Sequence, residues 1–416
     1  MVEGGTAYDL RLVSLEWQGL RWEHRLQVFR PERLSHPGFC GLVNTGEGGP
    51  AAGAEGWALA CAAGTLFATL RDVPNQPLFG GKVEDQLVVH TWLRFLETGD
   101  PTWPLHLPMA KAVLRAADAV QEFAQSQGWP AVEGFLVTGA SKRGWAAWLT
   151  GAAGDPRVRA IAPMVIDTLN IPAQIPHQFR VLGGPSEQVA DYTEAGLLTR
   201  LATPEGRRLL ALVDPYSYRS VLTLPKLLIL GTNDRYWAQD ALNLYWGGLR
   251  GAKSVLYVPN SGHGLEDRGR VLATLGAFLR ATAAGEGWPQ LGWRYARGAG
   301  GLTLSVRSQS PALQVPALQG PTLQGPTLQV GALSARLFQA HAPTQDLRAA
   351  HWVSAPMARA RDHSRTRNHF EGRLLAPKVG YTAVFGEVTF GTAGQPFTLS
   401  TQIKILPEEV LGAGPR

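Results

Sequence analysis

Cysteine is nearly missing: 416 residues hold two, Cys40 and Cys61. That is too sparse for a disulfide scaffold and lacks the C-x-x-C spacing of a metal or redox site, so both read as buried free thiols. No run of about 18 consecutive apolar residues occurs, which removes the signature of a transmembrane helix and predicts no membrane partner. The longest candidate, Trp57 to Leu70, is shorter, rich in Ala and Gly, and reads as a core helix. No basic start followed by an apolar stretch opens the chain, so the sequence as written predicts a cytoplasmic protein, or an exported one whose leader has been removed. The ten histidines show no metal-ligand spacing and no G-x-x-x-x-G-K-[ST] phosphate loop is present, so neither metal nor cofactor is expected. Charged side chains make up 17% of the chain and hydrophobic ones 45%. That balance is far too apolar for disorder and suffices for a sizeable core in about two or three domains.

The net charge is +6. Its excess is local: Gln290 to Arg373 carries ten Arg, no Lys and three acids, Asp346, Asp362 and Glu371. These arginines are scattered, and no zinc-finger, helix-turn-helix or RNA-binding pattern surrounds them. They read as a solvated basic face, not as a nucleic-acid site.

The N-terminal stretch reads as strands at Ala7 to Trp17, Arg21 to Arg30 and Gly38 to Asn44. A glycine-rich loop, Thr45-Gly-Glu-Gly-Gly-Pro50, leads to a helix from about Ala54 to Gly64 and a strand near Leu66 to Arg71. Helical patterns cover Val83 to Leu96 and Pro108 to Gln127. Then strands and helices alternate: strand Gly134 to Thr138, helix Lys142 to Ala153, strands Val158 to Ile166 and Pro225 to Gly231, helix Ala238 to Leu249, strand Ser254 to Val258, helix Leu265 to Ala281. Such alternation with short apolar strands predicts a parallel sheet covered by helices on both faces, spanning 1–285. The segment from Asp167 to Leu222 interrupts it and reads as a cap over the carboxyl ends of the strands, where open α/β sheets bind ligands. From 286 to 416 the helical period disappears. Short alternating runs at Leu302 to Val306, Ala332 to Ala340, Tyr381 to Phe390 and Phe397 to Ile405 predict a small, β-rich, Ig-like sandwich. Within it, residues 311–329 repeat a Pro-containing five-residue unit four times; a proline in each copy blocks strand pairing and predicts an exposed extended loop.

The sharpest feature is Gly134-Phe-Leu-Val-Thr-Gly-Ala-Ser-Lys-Arg-Gly-Trp145: an apolar strand, a small-residue turn, then a helix. In such a nucleophile elbow the serine hydroxyl stands out of the sheet and the first N–H groups of the helix face whatever is bonded to it. Gly139 and Ala140 supply the small residues before Ser141; after it, Arg143 replaces the usual glycine and Gly144 follows one place later. A serine hydroxyl needs a base, and the base needs an acid. One strand ends in Gly231-Thr-Asn-Asp234, and the next runs into Pro259-Asn-Ser-Gly-His263. Alone, Asp234 is an ordinary turn carboxylate and His263 an ordinary loop imidazole; together Ser141, Asp234 and His263 reproduce the chain order of α/β-hydrolases, each at a strand terminus. Asp167, ending another strand, is the rival acid and reads as an organiser of the cap facing substrate.

Two donors must hold the developing oxyanion. Lys142 N–H is one, and the second is expected from the Thr45 to Gly48 loop, at Gly46. Tyr236 and Trp237 are candidate substrate walls, whereas Trp145, Trp148 and Trp246 have the helical placement of core residues.

The runs Gly139-Ala-Ser-Lys-Arg-Gly-Trp145, Ile161 to Asn170, Gly231 to Trp237, Pro259 to His263, Pro74-Asn-Gln-Pro-Leu78 and Glu84-Asp85 resemble the PhoPQ-activated pathogenicity-related family over roughly Leu15 to Trp352. The resemblance implies an α/β-hydrolase domain with its triad on Ser141, Asp234 and His263, and a β-rich C-terminal part. Within this family Arg143 is ordinary. Members are commonly exported. The expectation is a serine hydrolase acting through an acyl-enzyme on a small-molecule ester or peptide, with esterase and peptidase left open. The rival expectation is a hydrolase-derived binding or signalling protein with a residual triad.

Overall fold

In the computed structural model, which describes residues 4–48, 50–298, 301–309, 331–360, 368–375, 377, 379–391 and 396–407, eight strands form the first part of one long sheet. They are β1 (Gly5–Trp17), β2 (Leu20–Pro31), β3 (His36–Asn44), β4 (Thr65–Leu70), β5 (Gly134–Ala140), β6 (Val158–Met164), β7 (Lys226–Gly231) and β8 (Lys253–Val258). Their spatial order is 1-2-4-3-5-6-7-8, antiparallel from β1 to β4 and parallel from there to β8. This is an α/β-hydrolase fold.

Helices cover both faces, which is why the central strands are continuous apolar runs: all six residues of β4 and the first six of β5 are buried. One face carries α1 (Pro50–Ala63) and the last helix, Arg268–Ala283. The other carries α2 (Glu84–Thr98), α3 (His106–Ser126) and α4 (Lys142–Ala152), burying Trp92, Met109, Val113, Trp145 and Trp148. Between β6 and β7 the chain leaves the sheet for the helices α5 (Ile171–Leu182), α6 (Ala190–Glu194), α7 (Leu197–Arg200) and α8 (Pro204–Val213). α6 and α8 pack on α2. This is the cap.

The C-terminal strands do not stand apart from the sheet of β1 to β8. Ser400, in the strand Phe397–Ser400, pairs with Val255 of β8, and the sheet continues through Tyr381–Phe390 and Ala332–Ala342 to Val353–Pro356. A separate four-stranded antiparallel sheet, built from Gln290–Gly298, Gly301–Gln309, Ala358–Arg359 and His369–Leu375, forms the second layer. Leu302, Leu304, Val306 and Phe370 from it share a core with Leu337, Val384 and Val388 of the extended sheet. The repeat at 311–329 lies outside the described residues.

Three local expectations are corrected. The helix expected at Ala238 to Leu249 is two 3-10 turns, Ala241–Leu244 and Trp246–Gly248. Side chains take the carbonyls a helix would use: Gln174 donates to Ala241 O, Asn170 to Leu244 O, and Lys253 to Trp246 O and Leu249 O. The stretch Trp57 to Leu70 is no single helix, since α1 ends at Ala63, Gly64 turns with φ 64°, and β4 follows. Finally, Cys40 is buried as expected but Cys61 is exposed. Among the described residues, no helix is long and apolar enough to cross a membrane.

Candidate active site

Ser141 joins β5 to α4 with φ 56° and ψ −127°, a backbone state that costs an L residue energy and persists only where its surroundings impose it. The surroundings are visible. Ser141 N–H donates to Met164 O of β6 at 2.9 Å, and its carbonyl starts α4 by accepting from Trp145 N–H at 2.9 Å. A Cβ at Gly139 would lie 2.6 Å from both Arg143 O and Asn44 Nδ2, and one at Gly144 2.8 Å from Met164 O. Only glycine lets strand and helix approach so closely. The shift of the second glycine by one place thus has a packing reason: Gly144 faces β6 while Arg143 points away from it toward Glu84.

The candidate base and acid arise where β7 and β8 end. Asp234 is 4% exposed; its Oδ1 accepts from Tyr236 N–H at 3.0 Å and its Oδ2 lies 2.8 Å from His263 Nδ1. Gly231 permits this approach, because a Cβ there would meet Gly262 O at 2.3 Å and Ser261 O at 2.5 Å. The His263 ring packs on that of Tyr236 with centroids 4.4 Å apart, and Glu266 steadies the loop by accepting from Gly262 N–H at 2.8 Å. Among the described residues the imidazole has Asp234 as hydrogen-bond partner and the Ser141 hydroxyl has none.

Asp167 is held elsewhere. It is buried with Oδ1 2.7 Å from the Tyr245 hydroxyl, and burial, only partly offset by that bond, pushes its carboxyl up to about 8. It abuts Asp234 across a small cavity but does not line the cleft at Ser141. The cap-facing place expected for Asp167 is thus outside the lining of the cavity at Ser141. Two short Ser–His contacts, Ser14 with His24 and Ser305 with His369, are buried pairs outside this cleft.

Ser141 and Lys142 open onto a cavity of about 100 Å³ under the cap. Trp92, Trp145, Ile166, Ile171, Val189 and Leu201 make its apolar wall; Tyr236 and Trp237, the candidate substrate walls, line it too, while Trp145, expected only in the core, does both. A cap was expected above the strand ends, but which of its side chains reach the cavity was not legible, because that depends on how its helices dock on α2 and the sheet.

Beside the serine lies a charged cluster. Lys142 Nζ is 3.1 Å from both Glu84 Oε2 and Asp85 Oδ1, and Tyr192 donates to Asp85 Oδ1 at 3.0 Å. Arg143 faces Glu84 with two parallel bonds of 2.7 Å. Burial alone would raise the Glu84 carboxyl; the Arg143 bonds and the Lys142 charge outweigh it and hold it down at about 2. Asp85 also lines the cavity. The dipeptide Glu84-Asp85 was visible in the sequence, but its partners lie nearly sixty residues away and its role was not. Gly46 does not line the cavity; it packs against the Arg143 guanidinium in the turn after β3. Lys142 opens α4, where an N–H has no acceptor within the helix. Among the described residues no cluster of His, Cys, Asp and Glu is arranged to hold a metal ion.

A family model described as "PhoPQ-activated pathogenicity-related protein" matches residues 1–324. Autocrine proliferation repressor protein A of Dictyostelium discoideum is 33% identical over 307 residues, which cover 69% of this chain and 62% of that protein. The chain therefore spans less than two thirds of that relative's length. Among solved structures, an acetyl xylan esterase from Paenibacillus sp. R4 aligns with a TM-score of 0.44 at 14% identity over 67% of this chain and 89% of that one. The acylaminoacyl peptidase of Pyrococcus horikoshii gives 0.43 at 13% identity over 67% and 41%. At these scores and identities neither structural likeness carries an argument about activity.

Proposed function

The chain belongs to the PhoPQ-activated pathogenicity-related family, and we propose that this member is a serine hydrolase cleaving a carboxylic ester or amide whose acyl group is apolar. The observation that carries the reading is the strained turn of Ser141, at a strand-to-helix junction, opening onto a capped apolar cavity.

Ser141 Oγ attacks the substrate carbonyl carbon; its proton passes to His263 Nε2 and from there to the leaving alcohol or amine as the C–O or C–N bond breaks. Water then attacks the acyl-enzyme by the same route in reverse. Asp234 orients the ring through Nδ1 and stabilises the imidazolium formed. The ring has to approach Ser141 for this transfer, a movement that substrate binding commonly completes, since catalytic hydrogen bonds are often long before substrate arrives. Lys142 N–H is one proposed oxyanion donor; Gly46 N–H, outside the cavity lining but with no hydrogen-bond partner among the described residues, is the proposed second, reaching substrate from the turn that packs on Arg143. The cavity wall favours an apolar acyl or aryl group, because each buried CH₂ contributes roughly 0.8 kcal/mol.

A fluorophosphonate probe tests this: the wild type labels and Ser141→Ala does not, whereas labelling that survives the substitution overturns the assignment. A second reading, a binding or signalling protein with an idle triad, draws support from the missing Ser141–His263 bond and from the name of the Dictyostelium relative. A folded wild type that neither labels nor hydrolyses p-nitrophenyl esters or aminoacyl anilides would favour it.

A further inference from the structure

Arg143 occupies the elbow position where a small residue usually stands, and it is 9% exposed. Three other chain segments meet at its guanidinium. Nε donates to Val73 O at 2.6 Å, and Nη1 and Nη2 donate to Glu84 Oε2 and Oε1 at 2.7 Å each. Nη2 also lies 2.8 Å from the place a Cβ on Gly46 would take. The backbone that Arg143 grips through Val73 is the one that fastens the Gly46 turn: Asp72 N–H donates to Gly46 O at 2.7 Å and Val73 N–H to Thr45 O at 3.0 Å. On the other side, Asn44 Nδ2 donates to Arg143 O at 3.1 Å and to Thr138 O at 2.9 Å. Glu84 is itself fixed, exchanging bonds with Gln76: its N–H donates to Gln76 Oε1 at 2.9 Å and Gln76 Nε2 donates to its Oε1 at 2.6 Å. Among the described residues no hydrogen bond uses the Gly46 N–H.

We infer that Arg143, locked to Glu84, is a positioning residue that sets the Gly46 turn against the nucleophile elbow and so fixes the distance between the two oxyanion donors. This rests on the serine-hydrolase reading above. The chemistry requires an arginine. A planar guanidinium satisfies a carboxylate in two parallel bonds and still has Nε for a carbonyl on another segment, while an ammonium is a point charge that cannot hold this geometry. An oxyanion hole works only when its donors are preorganised, so a shift in one of them lowers kcat and spares substrate binding.

The test uses the full chain and p-nitrophenyl butyrate, with phenylboronic acid as the probe of the hole. The boron adds to Ser141 Oγ and presents an oxygen to the two donors. Arg143→Lys keeps the charge and is expected to lose about a hundredfold in kcat with KM within about twofold, and phenylboronate affinity falls in step. Glu84→Gln, which leaves Arg143 in place without its ionic partner, is expected to lose less in the same two readouts. Gly46→Ala, which forces the guanidinium to shift, should resemble Arg143→Lys. Folded variants that keep kcat and boronate affinity, or that lose KM instead, overturn the inference. Should Arg143→Lys fail to fold, Glu84→Gln and Gly46→Ala decide by the same criterion. A wild type with no turnover and no labelling of Ser141 sinks the hydrolase reading instead, so the two failures are distinguishable.

Discussion

The Asp234 carboxylate lies 2.8 Å from His263 Nδ1, while Asp167, which follows the neighbouring strand β6, is committed to the Tyr245 hydroxyl at 2.7 Å. Both acids sit at the same rim and are buried, yet one faces the imidazole and the other does not.

Asp234→Asn is therefore expected to reduce kcat by about 10³- to 10⁴-fold, because the imidazole loses its orienting charge and tautomer. Asp167→Asn keeps the same shape and an acceptor oxygen for the Tyr245 hydroxyl, and ester turnover should stay within about threefold of the wild type. The measurement is kcat for both variants on one ester. The reverse order of effects would make Asp167 the acid.

Asp167 also leaves a mark on stability. Burial raises its folded value to about 8, above that of the unfolded chain, so between the two values the folded state binds the extra proton. Its contribution is fully present below the unfolded value and is lost as pH rises toward about 8. Melting curves from pH 5 to 9 should accordingly fall more steeply with pH for the wild type than for Asp167→Asn. Parallel curves would remove the claim.

His106 is buried, with both ring nitrogens unpartnered among the described residues and its ring 4.2 Å from that of Trp145. Burial, aided by the nearby Lys142 charge, pushes its value down to about 3. The sign is opposite to that of Asp167: the unfolded chain takes up the proton first, so stability is lost as pH falls from about 6.5 toward 3. His106→Phe removes two unpaired polar atoms, and an unchanged or higher Tm at pH 7 with less loss at pH 5 is the expected outcome. A large destabilisation at pH 7 would mean that the imidazole has a partner.

Gly231→Ala places a methyl where Gly262 O stands at 2.3 Å, so the loop bearing His263 must move. Overpacking of this kind typically costs about 1–3 kcal/mol. Here kcat is expected to fall more than Tm would suggest, because the displaced loop carries the base. Equal kcat in a folded variant would contradict the close packing.

The cavity wall predicts a change of selectivity. Leu201→Trp fills part of the space under the cap, so turnover of p-nitrophenyl octanoate should drop relative to the acetate, with the acetate rate nearly kept. A uniform loss across chain lengths would mean that the acyl group lies elsewhere.

Sheet and helices were legible because their signals are local. β4 and β5 are short apolar runs bounded by turns, and α3 repeats its apolar residues at helical spacing. The segment after Trp237 misled for the same reason: Asn170, Gln174 and Lys253 take its carbonyls, and no window around Ala238 contains those residues. The C-terminal strands were recognisable as strands, but the pairing of Ser400 with Val255 that joins them to the sheet of β1 to β8 is a contact across well over a hundred residues.

By itself the sequence determined the order of Ser141, Asp234 and His263 and their places at strand ends, because a turn needs particular residue types and those are written locally. Only the tertiary structure decided which acid reaches His263, that Arg143 seizes Glu84 and presses on Gly46, and that Asp85 and the cap line the cavity. Hydrogen bonds act over about 3 Å, and which distant groups come within that reach depends on how every intervening segment packs.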